Sequence, residues 1–179
     1  LSKTNKIKTT KENKELNMDQ SGKNRVKQLI ASGEKVAAAW AQAGSNITAE
    51  ILGDAGFDAV MIDHEHGPGD ILTLISQIQA LKGNPAVPFV RAPWNDFVQI
   101  KRILDAGTYG VLVPYVNTPE EAADAVRAKR YPTEGIRGVA GSPRAPGYGK
   151  NTQSYLASAD DEIILMTAVE TPEAVSRRS

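Results

Sequence analysis

Beyond residue 20 the apolar positions follow two alternating rhythms. Where they recur three and four apart they predict helices; where they run together over a few residues they predict strands. Val26, Leu29 and Ile30 set helical spacing over 24–31, and Ile71, Leu74, Ile75, Ile78 and Leu81 make one face of a helix over 70–82. Further helices are predicted over 48–55, 97–106 and 118–129. The first of these has Ser45 or Asn46 as its cap and Gly56 as its stop. Thr118-Pro119-Glu120-Glu121 is a strong start for the last. Apolar runs predict strands over 36–40, 58–63, 87–92, 110–116 and 162–170. A Gly/Pro/Arg-rich loop fills 132–150, a short helical turn is expected at 154–157, and Thr171-Pro172-Glu173 opens another helix.

Strands that are apolar throughout, separated by helices, indicate a parallel sheet buried on both faces, hence an α/β fold. Two architectures satisfy this, an open doubly wound sheet and a (β/α)8 TIM barrel. No GxGxxG follows the first strand, which weakens the open, nucleotide-binding sheet. Polar residues close several runs at their carboxyl ends: Gln42, then Asp63, Glu65 and His66, then Arg91, then Glu170. Several strand ends converging on one mouth is the arrangement of a barrel site, so the TIM barrel is the expectation. Such barrels take roughly 250 residues, and this chain has 179. It is therefore expected to be truncated after about five strand–helix units. Residues 21–179 would form that partial barrel and residues 1–20, rich in Lys, Asn and Thr, a disordered extension.

Composition narrows the function. Lys+Arg and Asp+Glu are both 21, so nothing global draws the chain to nucleic acid or to an anionic membrane. With no cysteine, thiol nucleophiles, zinc–thiolate sites, iron–sulfur clusters and disulfides are excluded. No apolar run approaches the ~20 residues of a membrane span, and the start lacks a signal-peptide core, so a cytoplasmic protein is expected.

The only two histidines, His64 and His66, share the loop Asp63-His64-Glu65-His66-Gly67-Pro68. Any imidazole acid–base group is one of them. A His-x-His metal site of the barrel-hydrolase type needs further histidines on later strands, and there are none. Arg91 suits a carboxylate or carbonyl clamp, or a surface ion pair. Glu170 suits Mg²⁺ or Mn²⁺, or simply a helix start. Asp105 reads as a solvated acid at a helix end, and Trp40 as a mouth-lining or core residue. Arg137 and Arg144 are candidate anion binders in a loop pliable enough to be a lid.

GFDAVMIDHEHGP, VRAPWNDFVQIKRILDAG, VLVPYVNTPEEAADAVRAKRYPTEGIRGV and the final VET together resemble the HpcH/HpaI family of class II 2-keto acid aldolases. Within it, the pattern is most similar to the branch of aromatic degradation that acts on 4-hydroxy-2-oxoheptanedioate. The resemblance implies a (β/α) barrel, assembled as a homo-hexamer, that binds a divalent metal (Mg²⁺, Mn²⁺ or Co²⁺) and pyruvate. It implies cleavage of a 4-hydroxy-2-oxo acid to pyruvate and an aldehyde such as succinic semialdehyde. It further implies His66 as base, Arg91 as enolate stabiliser, Asp105 as the group that raises the histidine's basicity, and Glu170 as metal ligand. Trp40, Arg91 and the position of Ala168 are the expected substrate contacts. The chain departs from the family at Ala168, where relatives carry glutamine, and at His64, where glycine is common. The family's second metal carboxylate falls on the strand after the one ending at Glu170. The alternatives are an inactive fragment of such an aldolase and a citrate-lyase-like enzyme acting on acyl-CoA esters.

Overall fold

The computed structural model describes residues 23–177. The extension expected at residues 1–20 lies outside the described residues. Five strands, β1 (Ala38–Ala41), β2 (Ala59–Asp63), β3 (Val87–Arg91), β4 (Gly110–Val113) and β5 (Ile164–Thr167), alternate with helices. These are α1 (Arg25–Ala31), α2 (Asn46–Asp54), α3 (Ile71–Ala80), α4 (Phe97–Asp105), α5 (Pro119–Lys129), α6 (Thr152–Glu162) and α7 (Pro172–Ser176). The strands form one parallel sheet in the order β1-β2-β3-β4-β5. A doubly wound sheet reverses its strand order partway; this one does not. With right-handed crossovers, winding in one direction puts the connecting helices on one face. The result is an α/β sheet wound as in part of a (β/α) barrel.

Alternation along the strands sorts side chains between two cores. Val60, Ile62, Val90, Val111 and Val113 face the helices and pack with Leu74, Ile78, Ile100, Ile103 and Leu104. Ala59, Met61, Val87 and Phe89 face the other way, with Leu112, Ile164 and Met166 partly covered beside them. Gly110 pairs with Phe89 across β3 and β4. A Cβ on Gly110 would lie 2.6 Å from the Phe89 ring, so glycine makes room for it.

The helix starts follow the expected chemistry. Ser45, Asp70, Asp96 and Thr118 each accept backbone N–H bonds at their helix starts, and Thr118 with Glu121 completes a capping box. Asn24 does more than cap α1: its Nδ2 also donates to the carbonyls of Tyr109 and Glu162. This ties α1 across the amino-terminal end of β4 and β5, where Val26 joins the inner core.

Three expectations are corrected. The turn at 154–157 is the eleven-residue helix α6, because Tyr155 and Ala159, four apart, bury one side of it. The last strand is shorter than 162–170: Glu162 ends α6 and its Oε2 accepts from the Asn24 N–H at 2.7 Å. The 132–150 loop is not a lid over the strands' carboxyl ends. It lies at their amino ends, held by Ile136 N–H to the Arg127 carbonyl and Ala145 N–H to the Asp105 carbonyl.

Candidate active site

Asp63 and Arg91 are the last residues of adjacent strands and stand directly opposite in register. Both point to the inner face, two residues beyond Met61 and Phe89. Arg91 meets Asp63 with two parallel bonds, Nε to Oδ1 at 2.9 Å and Nη2 to Oδ2 at 2.6 Å. Asp63 also accepts from the backbone N–H groups of Glu65 and His66, at 3.0 and 3.1 Å, and from Trp40 Nε1 at 3.3 Å. Its carboxylate is fully enclosed. Burial alone would raise its pKa, but these bonds outweigh burial and hold it well below the ordinary carboxylate range. Asp63 is therefore an anchor: it fixes the Arg91 guanidinium and shapes the loop that carries the histidines.

That loop is tight for a steric reason. A Cβ on Gly67 would sit 2.3 Å from the Asp63 carbonyl oxygen, and one on Gly44 2.1 Å from that of Pro68. Gly44 also has a φ of +63°, in the region that favours glycine. The turns after β1 and β2 thus close against each other. Glu65 turns back to Arg91, its Oε2 3.0 Å from Nη1; the contact is an ion pair rather than an aligned hydrogen bond. The other oxygen of Glu65 lies 3.6 Å from His66 Nε2, and the His66 imidazole stands out into solvent. His64 is half-buried, and burial lowers its pKa despite Asp63 and Asp70 nearby. The Arg91 guanidinium rests 4.9 Å from the centre of the Trp40 ring. Its bond to Asp63, with Glu65 and Glu170 close by, keeps it firmly protonated.

Glu170 lies beyond β5, where its Oε2 accepts from the Tyr115 N–H at 3.1 Å. Tyr115 has a φ of +56° and stacks on Trp94 at 5.7 Å. Ala168 is held by backbone bonds to Val113 and Val116, and its methyl side chain offers a substrate no polar group. Among the described residues no three His, Asp or Glu side chains converge as a metal cage. Both Asp63 oxygens are taken by Arg91 and Trp40, and Glu170 alone does not make a metal site.

The structure gathers Trp40, Asp63, Glu65, His66, Arg91 and Glu170 at the carboxyl ends of the strands. It does not bring Asp105 to His66. Asp105 ends α4, at the opposite end of the sheet, and takes Arg137 Nη2 at 2.8 Å. Arg137 is likewise corrected as an anion binder: it is wholly buried, bonded to Asp105 and to the Tyr155 hydroxyl. Sequence reasoning gave no role to Glu65 as a partner of Arg91, nor to the Trp94–Tyr115 stack. The signal for Glu65 was its place two residues past a strand end that also carries the arginine's anchor.

Parallel strands whose carboxyl ends present a clamped arginine, carboxylates and an imidazole define an α/β protein of the mouth-site class. The chain belongs to the HpcH/HpaI aldolase/citrate lyase family, which it matches over residues 37–178. A 5-keto-4-deoxy-D-glucarate aldolase of Salmonella newport is 46% identical over 147 residues, 82% of this chain and 57% of that protein. The chain thus spans little more than half the length of such curated relatives. Among solved structures, an HpcH/HpaI aldolase/citrate lyase family protein from Burkholderia cenocepacia has a TM-score of 0.80 at 36% identity, covering 85% of this chain and 62% of that one. An HpcH/HpaI aldolase from Desulfitobacterium hafniense has a TM-score of 0.75 at 27% identity, over 84% of this chain and 59% of that one. The glucarate-type relatives shift the likeness away from the heptanedioate branch that the motifs alone suggested. No helix among the described residues is long and apolar enough to cross a membrane.

Proposed function

We propose that the protein is a pyruvate-type aldolase that cleaves, or forms, the C3–C4 bond of a 4-hydroxy-2-oxo acid. The observation that carries this reading is Arg91: a guanidinium fixed by Asp63 and Trp40 yet open at the mouth, beside an exposed imidazole. In the cleavage direction, Arg91 donates to the 2-oxo oxygen as negative charge develops there. His66 takes the proton of the C4 hydroxyl as the C3–C4 bond breaks. The electron pair stays on the pyruvate enolate, which is then protonated at C3, and the aldehyde leaves. Glu65, within 3.6 Å of His66 and paired with Arg91, holds the two groups in relation.

The substrate class proposed is a keto-deoxy sugar acid, as in the names of the Salmonella relatives; succinic semialdehyde as the aldehyde is the second choice. The sheet is proposed as part of a (β/α)8 barrel, and a divalent metal (Mg²⁺, Mn²⁺ or Co²⁺) is proposed for the whole protein. Asp63, Glu65 and Glu170 outnumber the single guanidinium, so charge at the mouth favours a cation, which Glu170 would help to hold. A homo-oligomer, a hexamer by resemblance, is proposed because a neighbouring subunit is the remaining way for an Asp105 to approach a His66. Light scattering on the purified chain tests the assembly.

The test of function is condensation of pyruvate with a hydroxyaldehyde in the presence of Mg²⁺ or Mn²⁺. Product from the parent, reduced about 10²-fold or more in His66→Ala, supports the proposal. No product, or a His66→Ala variant equal to the parent, overturns it.

A further inference from the structure

We propose that a cavity at the amino-terminal end of β4, at the opposite end of the sheet from Arg91, is a second binding site for a small phosphate-type polyanion. The cavity holds about 420 Å³ between the end of α3, the start of β4 and the 144–151 loop, a size suited to a small metabolite. Lys82, Arg144 and Lys150 line it, together with Gln79 and Asn151, and no carboxylate does. Among the described residues none of these three cations has an ion-pair partner. In a chain whose charges balance overall, that is a local excess of positive charge on a concave surface.

Arg144 is the built part of the site. Its Nη1 donates to the Ala106 carbonyl at 3.0 Å and its Nη2 to the Ile78 carbonyl at 3.5 Å. These carbonyls lie at the carboxyl ends of α4 and α3. Helix ends of this polarity hold a guanidinium in place without the full charge of an acid. A guanidinium has five N–H donors, and two such bonds leave the others for a ligand. Gly107, with a φ of +94°, keeps the space: a Cβ there would lie 2.7 Å from Arg144 Nη1. Burial works against the charge of Arg144, and a bound anion would offset that cost. A fixed guanidinium with two exposed ammonium groups and two amides suits the oxygens of a phosphate or phosphate ester. Tyr109 and Tyr148 add walls for an organic part.

Calorimetric titration of the whole chain with inorganic pyrophosphate at low ionic strength tests this, independently of any aldolase activity. Saturable binding is expected, weakened by salt. It should weaken roughly ten-fold or more in Lys82→Gln/Lys150→Gln and be unchanged in Arg91→Lys. Both lysines are exposed, and an unchanged thermal melt shows that the double variant stays folded. Three results would overturn the site: no saturable binding, a double variant that binds like the parent, or citrate binding where pyrophosphate does not.

Discussion

Two arginines show how the same chemistry serves different ends at the two ends of one sheet. Arg91 and Arg137 each bond a carboxylate, Asp63 and Asp105, and each lies over an aromatic ring, Trp40 at 4.9 Å and Tyr131 at 4.5 Å. Arg91 keeps 13% of its side chain exposed, pairs with Glu65 at 3.0 Å and has the Glu170 carboxylate close by. Arg137 has none exposed, and its Nε and Nη1 have no hydrogen-bond partner. Residue types, pairing and stacking are shared. Access decides which guanidinium can meet a substrate.

The comparison is broken most forcefully at the buried member. Arg137→Ala would leave Asp105 and two tyrosines facing a void, and should cost about 3–5 kcal/mol in chemical denaturation. Arg137→Met with Asp105→Leu should recover much of that loss, since a well-packed apolar pair often matches a buried ion pair. A single variant within 1 kcal/mol of the parent, on the order of a surface substitution, would mean the pair contributes little. At the mouth, Arg91→Lys cannot reproduce the two parallel bonds to Asp63. Condensation activity should fall about 10²–10³-fold, with kcat affected more than KM, as for loss of a donor to a developing oxyanion. An equal fall for Arg137→Met, measured where that variant is folded, would erase the distinction between the two arginines.

Metal sharpens the contrast more gently. Because Glu170 is not bonded by Arg91 and, among the described residues, no three His, Asp or Glu side chains converge, Mn²⁺ should give the 179-residue chain no saturable rise in melting temperature. A clear, saturable rise would show that the described donors suffice. The effect of pH follows from Asp63. Its folded pKa lies below its unfolded one, so it stabilises the fold above about pH 4 and that contribution fades as pH falls below. Asp63→Asn should flatten this acid limb in denaturation midpoints measured between about pH 5 and about pH 3. The smallest effect is at His64. Burial lowers its folded pKa, so the unfolded chain takes up the proton first and stability falls as pH drops through about 6.5. His64→Gln should remove that shallow slope.

Much of the fold was legible in the sequence. Apolar runs located all five strands, and Ser45 or Asn46 and Thr118 marked two helix starts, which Ser45 and Thr118 cap in the structure. α6 was underestimated because Tyr155, Leu156 and Ala159 sit among Ser and Asp residues, so its buried side is narrow. The strand-end clustering of Asp63, His66, Arg91 and Glu170 was equally legible. What Asp63 does was not, because its role depends on register against Arg91, which no local pattern specifies.

Local physics, written in the order of residues, therefore determined the elements, their α/β alternation and the set of groups at the strands' carboxyl ends. The HpcH/HpaI family followed from the same residues. Tertiary structure alone decided which carboxylate clamps which arginine, that Asp105 lies far along the sheet from His66, and that Arg137 is sealed while Arg144 opens on a cavity. These are outcomes of strand register and of where the 132–150 loop is tied. Both depend on contacts between residues distant in sequence, which neither periodicity nor composition carries.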